Sequence, residues 1–348
     1  KDIIGEGIEH VVGLEHIITG DIRLRHSTTI EESTTFSKKF QAGDVLFGRR
    51  RAYLKKAAQA SFGGICSGDI TVFRAKGNLL PELLPFIVSN DKFFDYAIKH
   101  SAGGLSPRVK FKDLANYEFL LPPKEQQAQL AELLWAMDEV IEKEKMLLDS
   151  LIKQKTVSTE YLLTGKERVC GFSNIEGFKH SLLGLIPESW HVYKLKEILI
   201  QAKLGGNYEN SEANTGVPVI KMGNLSRGHI NLDKVLYLPK GFEYDKSHIL
   251  KKGDLLFNTR NTLDLVGKVA IWRDEIEEAL YNSNIMKFSF KKSIIASNDF
   301  MNLVFNSRKG VGQLRSYATG TTSVAAIYST ELMRFRILTP SLIEQEKI

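Results

Sequence analysis

The longest helical pattern of the chain spans residues 121–166, which read LPPKEQQAQLAELLWAMDEVIEKEKMLLDSLIKQKTVSTEYLLTGK. Pro122 and Pro123 suit a helix start, where a missing N–H is harmless, and Gly165 suits the end. At about 1.5 Å per residue, this helix is a rod of roughly 60 Å, too long for one small core. We therefore expect its apolar face to pack on a second long helix. The apolar stripe recurs at steps of three and four and comprises Leu130, Leu133, Leu134, Met137, Val140, Ile141, Leu147, Leu148, Leu151 and Ile152.

The composition is ordinary for a soluble globular protein, with 43% hydrophobic and 25% charged residues among 348, a length that favours two or three domains. No run of 18 apolar residues occurs, so the sequence predicts no membrane-spanning helix. The N-terminus lacks a signal-peptide pattern, and Cys66 and Cys170 form no metal or disulfide pattern. These features predict a cytoplasmic protein with free thiols.

The net charge of +6 comes from the two blocks that flank the helix. Residues 1–122 contain 17 Lys and Arg against 14 Asp and Glu, and residues 167–348 contain 24 against 19. The helical segment 123–166 is slightly acidic, with six basic and eight acidic residues. Basic outer blocks are compatible with nucleic acid as a partner, although many proteins of this charge bind none.

The two flanking blocks resemble each other. Residues 40–47 match residues 250–257 at an offset of 210, and both contain Gly-Asp, two aliphatic residues and Phe. Ordered matches of this kind indicate a duplication. The further matches are 12–17 with 220–225, 101–106 with 317–323, and 120–122 plus Glu125-Gln126 with 337–340 plus Glu344-Gln345, the last at an offset of 219.

We therefore predict an α+β fold with a pseudo-two-fold internal repeat, in which two similar mixed α/β domains are joined by a long coiled-coil-type helix. Within the first domain, residues 45–47 and 70–73 predict strands and residues 85–100 predict one helix. Both ends of the repeat look clipped, so we expect the second helix to continue beyond Ile348. The predicted boundaries are 1–122 for the first domain, 123–166 for the long helix, 167–186 for a linker, 187–340 for the second domain and 341–348 for the start of a second helix.

The chain resembles the specificity subunit of type I restriction-modification enzymes. The resemblance lies in Pro187-Glu188-Ser189-Trp190 with Leu195-Lys196-Glu197-Ile198 after it, in the doubled Gly-Asp strand, in the Pro…Glu-Gln helix start, and in the Leu-Leu-Thr-Gly-Lys helix end at 162–166. It implies two target recognition domains that each read one half of a split double-stranded DNA sequence, held apart by antiparallel spacer helices. It also implies a non-catalytic subunit that docks two DNA adenine methyltransferase (modification) subunits and, in the full complex, restriction/translocase subunits.

Candidates for DNA contacts are basic and amide residues in predicted loops. Arg and Asn are the usual hydrogen-bonding partners of guanine and adenine, respectively. Different residues at positions that the repeat makes equivalent would therefore suit two domains that recognise different half-sites. The alternative for each is a solvated surface charge, although three adjacent arginines repel one another unless they share an anion. The candidates are Arg49, Arg50, Arg51, Tyr53, Lys55, Lys56, Arg108 and Lys110 in the first block, and Asn258, Arg260, Asn261, Arg308, Lys309 and Arg315 in the second.

The sequence predicts neither catalysis nor a cofactor or metal. Its sole Pro-Pro, within residues 121–124, does not fit the Asn/Asp-Pro-Pro-Tyr/Phe loop of an adenine methyltransferase, and no P-loop motif occurs. Its eight histidines are scattered, without a cysteine or acidic cluster at ligand spacing. The alternative to DNA reading is a structural interaction protein with two protein-binding modules on a coiled coil. Duplex binding that weakens steeply with salt would favour the first reading.

Overall fold

The computed structural model describes residues 9–29, 36–172 and 177–348, and the chain divides into two compact units, Lys1–Leu147 and Leu148–Ile348. Of the helices in these described ranges, none combines the length and the apolar character that a membrane span needs. Within its described residues the first unit contains β1 (Val11–Val12), β2 (Lys38–Phe40), β3 (Val45–Gly48), β4 (Ala57–Gln59), β5 (Gly64–Cys66), β6 (Ile70–Phe73), α1 (Leu84–Val88), α2 (Asp91–Lys99), α3 (Phe111–Leu114) and the first part of α4 (Lys124–Thr164).

The second unit contains the remainder of α4 and a longer series of strands, paired in several small sheets. Its strands and helices are β7 (Phe178–Ser181), β8 (Gly184–Pro187), β9 (His191–Lys194), α5 (Leu195–Ile198), β10 (Leu199–Leu204), β11 (Val217–Ile220), β12 (Leu236–Leu238), β13 (Leu255–Asn258), β14 (Arg260–Asn261), β15 (Val269–Ile271), β16 (Leu280–Tyr281), β17 (Ile285–Phe290), α6 (Asn298–Asn306), α7 (Arg308–Tyr317), β18 (Thr319–Gly320), β19 (Ala325–Ala326), α8 (Ser329–Leu332), β20 (Arg336–Thr339) and α9 (Leu342–Lys347).

Two equivalent strands lie at the centre of their units: β3, which follows Gly43-Asp44, and β13, which follows Gly253-Asp254. In β3, Val45 and Phe47 face a core that includes Phe94, while Leu46 faces a second core on the other side of the sheet. In β13 the same alternation places Leu255 and Phe257 in one cluster and Leu256 in another. A strand buried on both faces needs consecutive apolar residues, which is why these segments read Val-Leu-Phe and Leu-Leu-Phe.

The strand pairing is also repeated. β3 lies between β4 and β6 with antiparallel pairing, and β13 lies between β15 and β17 in the same way. β1 pairs in parallel with β5, and β11 pairs in parallel with β16. Helices follow in the same order, since α1, α2 and α3 of the first unit correspond to α6, α7 and α8 of the second. The predicted α+β fold with an internal repeat is therefore confirmed.

The Gly-Asp pair forms the turn that starts each central strand. Gly43 has a φ of +90° and Gly253 a φ of +86°, a backbone conformation that favours glycine. Asp44 Oδ2 accepts a hydrogen bond from the N–H of Gln41 (2.8 Å), and Asp254 Oδ2 accepts one from Lys251 N–H (3.0 Å). The doubled motif is thus a structural feature of the fold.

A buried glutamine ties the first turn of α4 to the first unit. Gln127 is 1% exposed, and its Oε1 accepts a hydrogen bond from Leu80 N–H (2.9 Å). Its Nε2 donates to the carbonyl oxygens of Asn78 (2.9 Å) and Pro122 (2.8 Å). One side chain therefore satisfies three backbone groups that would otherwise lack partners.

Gln345 makes the same three contacts in the second unit. Its Oε1 accepts from Ala296 N–H (3.0 Å), and its Nε2 donates to the carbonyls of Ile294 and Pro340 (both 2.9 Å). Gln345 thus corresponds to Gln127 at an offset of 218 residues, the same offset that relates Pro340 to Pro122. The sequence match of Glu125-Gln126 with Glu344-Gln345 was wrong by one residue, because two adjacent glutamines made both registers plausible.

Replacing Gln127 by alanine should lower the free energy of unfolding of the first unit by about 2–3 kcal/mol, because buried backbone donors and acceptors lose their partner. Denaturant titration followed by circular dichroism measures the change. Gln126→Ala is the matched control, since the neighbouring side chain is exposed and should be neutral within about 0.5 kcal/mol. Equal stabilities of the two variants would contradict this role of Gln127.

The long helix α4 extends over Lys124–Thr164, close to the predicted range of 123–166, and it ends before Gly165, whose φ is +70°. Its apolar stripe is largely exposed within the described chain: Leu133 is 58% exposed and Met137 is 56% exposed. The second long helix expected to cover this stripe remains a prediction.

Two local predictions need correction or refinement. Residues 85–100 are not one helix, because Asn90 caps α2 by accepting a hydrogen bond from Lys92 N–H and so separates it from α1. The segment predicted as a linker, 167–186, contains β7 and all but the last residue of β8, with which β7 pairs antiparallel. Residues 173–176 of that segment lie outside the described residues.

Candidate nucleic-acid interface

Four of the predicted basic residues of the first unit converge at one edge, although they come from distant parts of the sequence: Arg49, Arg50, Arg51 and Arg108. Arg49 N–H donates to the carbonyl oxygen of Asp69 (2.9 Å), and the Arg49 carbonyl accepts from Val109 N–H (3.0 Å). Next to it, Arg50 forms an antiparallel bridge with Arg108. The loop after β3 is therefore held beside residues 102–108, and we call residues 49–51 and 102–108 together the first edge.

Residues 102–108 form a tight hairpin. Ala102 and Arg108 exchange two backbone hydrogen bonds of 3.0 and 2.9 Å, and Gly103 has a φ of +116° that requires glycine. Leu105 projects from the hairpin tip and is 98% exposed. Its side chain is therefore accessible to a ligand that approaches the first edge.

Asp69 organises the arginines of the first edge. Arg108 contacts it with two hydrogen bonds, from Nε (2.7 Å) and Nη2 (3.1 Å), and Arg50 Nη1 lies 3.6 Å from Asp69 Oδ2. The hydrogen bond from Arg108 lowers the pKa of Asp69 below its usual range, so the carboxylate remains charged at neutral pH. The Nε of Arg49 is buried without a hydrogen-bond partner among the described residues, and Arg51 is exposed. The arginines outnumber the carboxylate that they share, so the first edge stays positive.

The other predicted DNA-contact residues of the first unit differ in whether their side chains are free to contact DNA. Lys55 Nζ lies 2.5 Å from Asp91 Oδ1, and Lys56 Nζ donates to the carbonyl oxygen of Leu14 (2.7 Å). Tyr53 is 50% exposed, and Lys110 is exposed at the start of α3. Tyr53 and Lys110 are thus accessible, whereas the two lysines already have acceptors within the protein.

The second unit has an edge of the same construction. β14 (Arg260–Asn261) pairs with β19, and β19 pairs with β18 to close a hairpin over residues 319–326. Arg260 lies opposite Ala326, as Arg50 lies opposite Arg108 in the first unit. Gly320 has a φ of +132°, and Val324 near the hairpin tip is 67% exposed. We call residues 260–261 and 319–326 the second edge.

Asn258 does not belong to the accessible part of this edge. It is fully buried at the end of β13, where its Oδ1 accepts a hydrogen bond from Arg260 N–H (3.1 Å). At the offset of 210 it corresponds to Gly48, which is also buried. The prediction treated it as a loop residue because the end of the strand could not be located to one residue. Its role is to hold the backbone of Arg260.

The three candidates on α7 do not form one group. Lys309 Nζ donates to the carbonyl oxygen of Leu183 (3.0 Å), which directs it toward the turn between β7 and β8. Arg308 lines a groove of about 740 Å³ beside α4, and its N–H lies 3.3 Å from Glu160 Oε2. Arg315 is exposed near the end of α7, close to the second edge in sequence.

Sequence reasoning missed Asp69, Arg227 and Lys268. Asp69 was not among the predicted residues, and its sequence separation of 39 residues from Arg108 gave no sign of the contact. Arg227 and Lys268 are isolated basic residues that each stand next to a glycine, Gly228 and Gly267. Only the internal repeat pointed to Lys268, because Lys268 follows β13 as the predicted candidate Lys56 follows β3.

Comparisons with known proteins agree with this architecture. Residues 16–153 and 187–348 match the family described as type I restriction modification DNA specificity domain. The chain is 27% identical over 312 residues to the type I restriction enzyme MjaVIII specificity subunit of Methanocaldococcus jannaschii, with 88% of this chain and 67% of that protein covered. A putative MjaX specificity subunit of the same organism is 28% identical over 179 residues, which are 51% of this chain and 42% of that protein. The chain thus spans two thirds or less of the length of these relatives.

Among solved structures, one reported for the complex assembly and conformational transition of a type I R-M system contains a similar chain. Its TM-score is 0.55 at 18% sequence identity, and the superposition covers 97% of this chain and 81% of that one. The likeness supports the fold. Because the family match includes both units and most of the sequence, the chain belongs to the family of type I restriction-modification DNA specificity proteins.

Proposed function

We propose that this chain reads a bipartite sequence in double-stranded DNA, with the first edge contacting one half of the target and the second edge the other. The observation that carries the proposal is the equivalent construction of the two edges with different residues in them. Arg50 lies against Arg108 in one unit, and Arg260 lies against Ala326 in the other. Two domains that recognise different half-sites require the same backbone arrangement with different side chains at equivalent positions.

The shape and charge of an edge suit a DNA groove. A two-stranded ribbon fits the major groove, which is about 12 Å wide, and arginine pairs bidentately with guanine. In the first edge, Arg51 and Leu105 are exposed and available for bases, whereas Arg50 and Arg108 are oriented by Asp69. Phosphate contacts from flanking basic residues would position each ribbon without adding sequence preference.

Membership of the family also supports the proposed partners. We assign to this chain the docking of two DNA adenine methyltransferase (modification) subunits and, in the full complex, of restriction/translocase subunits. The chain itself carries no catalytic role in this assignment. In this assignment the partner subunits carry out methylation and cleavage, and the two edges determine the position on the duplex at which the complex binds.

The proposal is tested by selecting duplexes from a random pool with the full-length chain bound to its methylating partner. We expect a split motif with a constant gap between its halves. Binding of the selected duplex should also weaken by about 10³–10⁵-fold between 50 and 200 mM salt if six to ten phosphates are contacted. The measurement is an equilibrium titration at several salt concentrations.

Selection of one continuous motif would contradict the division of the target between two units. Duplex affinity that is low and insensitive to salt, with tight binding to a protein partner, would instead support an interaction protein.

A further inference from the structure

A second group of basic residues lies in the second unit, outside both edges. The loop at residues 226–229 is closed by a bridge between Leu225 and Ile230, and it packs on β15. Gly228 N–H donates to the carbonyl oxygen of Val269 (2.8 Å), and Gly228 forms a parallel bridge with Ala270. Arg227 therefore stands next to the start of β15, where Lys268 is located.

Arg315 approaches the same place from α7. Gly267 precedes Lys268 and has a φ of +73°, and a Cβ atom on it would lie 3.2 Å from Leu314 Cβ. Leu314 is buried in this contact, and Arg315 follows it in the helix. Arg227, Lys268 and Arg315, which we call the basic triad, thus come together from three separate segments.

The positive charge of the triad is poorly compensated by other groups of the protein. Burial lowers the pKa of Arg227, and the positive charge of Arg315 lowers it further. Burial also lowers the pKa of Lys268, with Arg227 as the second cause. Within the described part of the chain, none of the three side chains has an ion-pair or hydrogen-bond partner, and Arg227 Nη1 is buried without one. Like charges brought together in this way destabilise the fold unless an anion binds between them.

Two acidic groups of the neighbouring groove are engaged elsewhere. The groove of about 740 Å³ that Arg227 lines also contains Asp299 and Glu160. Asp299 Oδ1 lies 2.5 Å from Arg273 Nη2, and Glu160 Oε2 accepts from Arg308 N–H at 3.3 Å. Both carboxylates therefore already have partners among the described residues.

The first unit has no such group at the corresponding positions. Lys56 corresponds to Lys268, because the Lys56 carbonyl accepts from Gly48 N–H as the Lys268 carbonyl accepts from Asn258 N–H. Lys56 Nζ, however, has an acceptor in the carbonyl of Leu14. Thr19 precedes Gly20 as Arg227 precedes Gly228, so the position of Arg227 holds an uncharged residue. The triad is a feature of the second unit that the shared scaffold does not require.

We propose that Arg227, Lys268 and Arg315 bind one backbone phosphate of the DNA beside the second edge, an inference that rests on the proposed function. The location favours DNA over an acidic protein. The loop of residues 262–267 connects Arg260-Asn261 to Lys268, and its Leu263 N–H donates to the carbonyl of Thr322 in the hairpin (3.2 Å). The loop that leads to Lys268 is thus held on the hairpin of the second edge, and in this proposal a duplex bound at that edge places one phosphate at the triad. Such a contact fixes the position of the duplex but reads no base.

The test compares the double variant Arg227→Gln/Lys268→Gln with the control Lys240→Gln/Lys292→Gln, in which two exposed lysines of the same unit are changed. Both are measured in complex with the methylating partner, on the selected duplex and on a scrambled one. We expect the triad variant to bind both duplexes about tenfold more weakly at physiological salt, with a slope of log K against log[salt] smaller in magnitude by about 1. The selected motif should stay the same, and Lys268→Arg should retain the slope.

Several results would overturn the inference. If the triad variant matches the control on both duplexes while the wild type shows steep salt dependence, the site fails and the proposed function stands. A loss of affinity for the selected duplex only would mean that the triad contacts bases. A loss of affinity for the methylating subunit alone would mean that the triad contacts that protein. Thermal stabilisation of only the wild type by inorganic phosphate, with unchanged duplex affinity, would indicate a free-phosphate site. A wild-type complex that does not bind duplex would overturn both proposals.

Discussion

Replacing Arg49, Arg50 and Arg51 together by glutamine is expected to abolish recognition of one half of the DNA target and to leave the fold intact. Each lost arginine contact to a base or phosphate weakens binding by about 1–3 kcal/mol, so the combined loss should exceed about 100-fold. The fold should survive because the backbone contacts of Arg49 with Asp69 and Val109 do not depend on side chains. Asp69 also keeps its two hydrogen bonds from Arg108. Duplex selection with the variant complex measures the outcome.

The appropriate control is Lys76→Gln/Lys92→Gln/Lys99→Gln, which removes three exposed charges of the same unit outside the first edge. A reciprocal variant, Arg260→Gln/Asn261→Ala, should remove preference for the other half of the motif only. If the triple arginine variant still selects both halves, the first edge does not read DNA. A loss of both halves in either variant, with normal melting behaviour, would mean that the edges do not read separate half-sites.

The features that sequence predicted well are those set by local pattern. The length of α4 follows from a long amphipathic period that ends at Gly165, and the central strands follow from the apolar run after Gly-Asp. The duplication could be found because turn glycines recur in order, and these residues are fixed by backbone conformation. Gly43 and Gly253 are examples, since both have a positive φ.

What sequence could not supply is the set of contacts between distant segments. The convergence of Arg50 and Arg108 on Asp69 depends on how a hairpin pairs with a loop almost 60 residues away in the chain. Burial was equally inaccessible, so Asn258 was grouped with exposed loop residues although it ends a strand. The register of the repeat failed at Gln126 and Gln127 because composition alone does not show which of two glutamines points inward.

Replacing Glu344 by glutamine should destabilise the second unit by about 3–5 kcal/mol, because it removes the charged acceptor of a buried ion pair. Glu344 is 1% exposed, and its carboxylate accepts two hydrogen bonds from Arg168, at 2.5 and 2.8 Å. Trp190 Nε1 donates to the same carboxylate (3.2 Å). The pair joins α9 to the segment that follows α4. Denaturant titration of the variant measures the loss, and Glu346→Gln, an exposed change on the same helix, should be nearly neutral.

Two further measurements separate a buried charge pair from simple loss of packing. The loss caused by Glu344→Gln should persist at 1 M salt, since a pair with side-chain exposures of 7% and 1% is little screened. The double variant Arg168→Met/Glu344→Leu should recover most of the stability, because an apolar pair of similar volume avoids the cost of burying charge. Its remaining deficit should be about 1 kcal/mol, since Trp190 N–H still lacks an acceptor. A double variant less stable than Glu344→Gln would mean that Arg168 holds the second unit together through contacts other than this carboxylate.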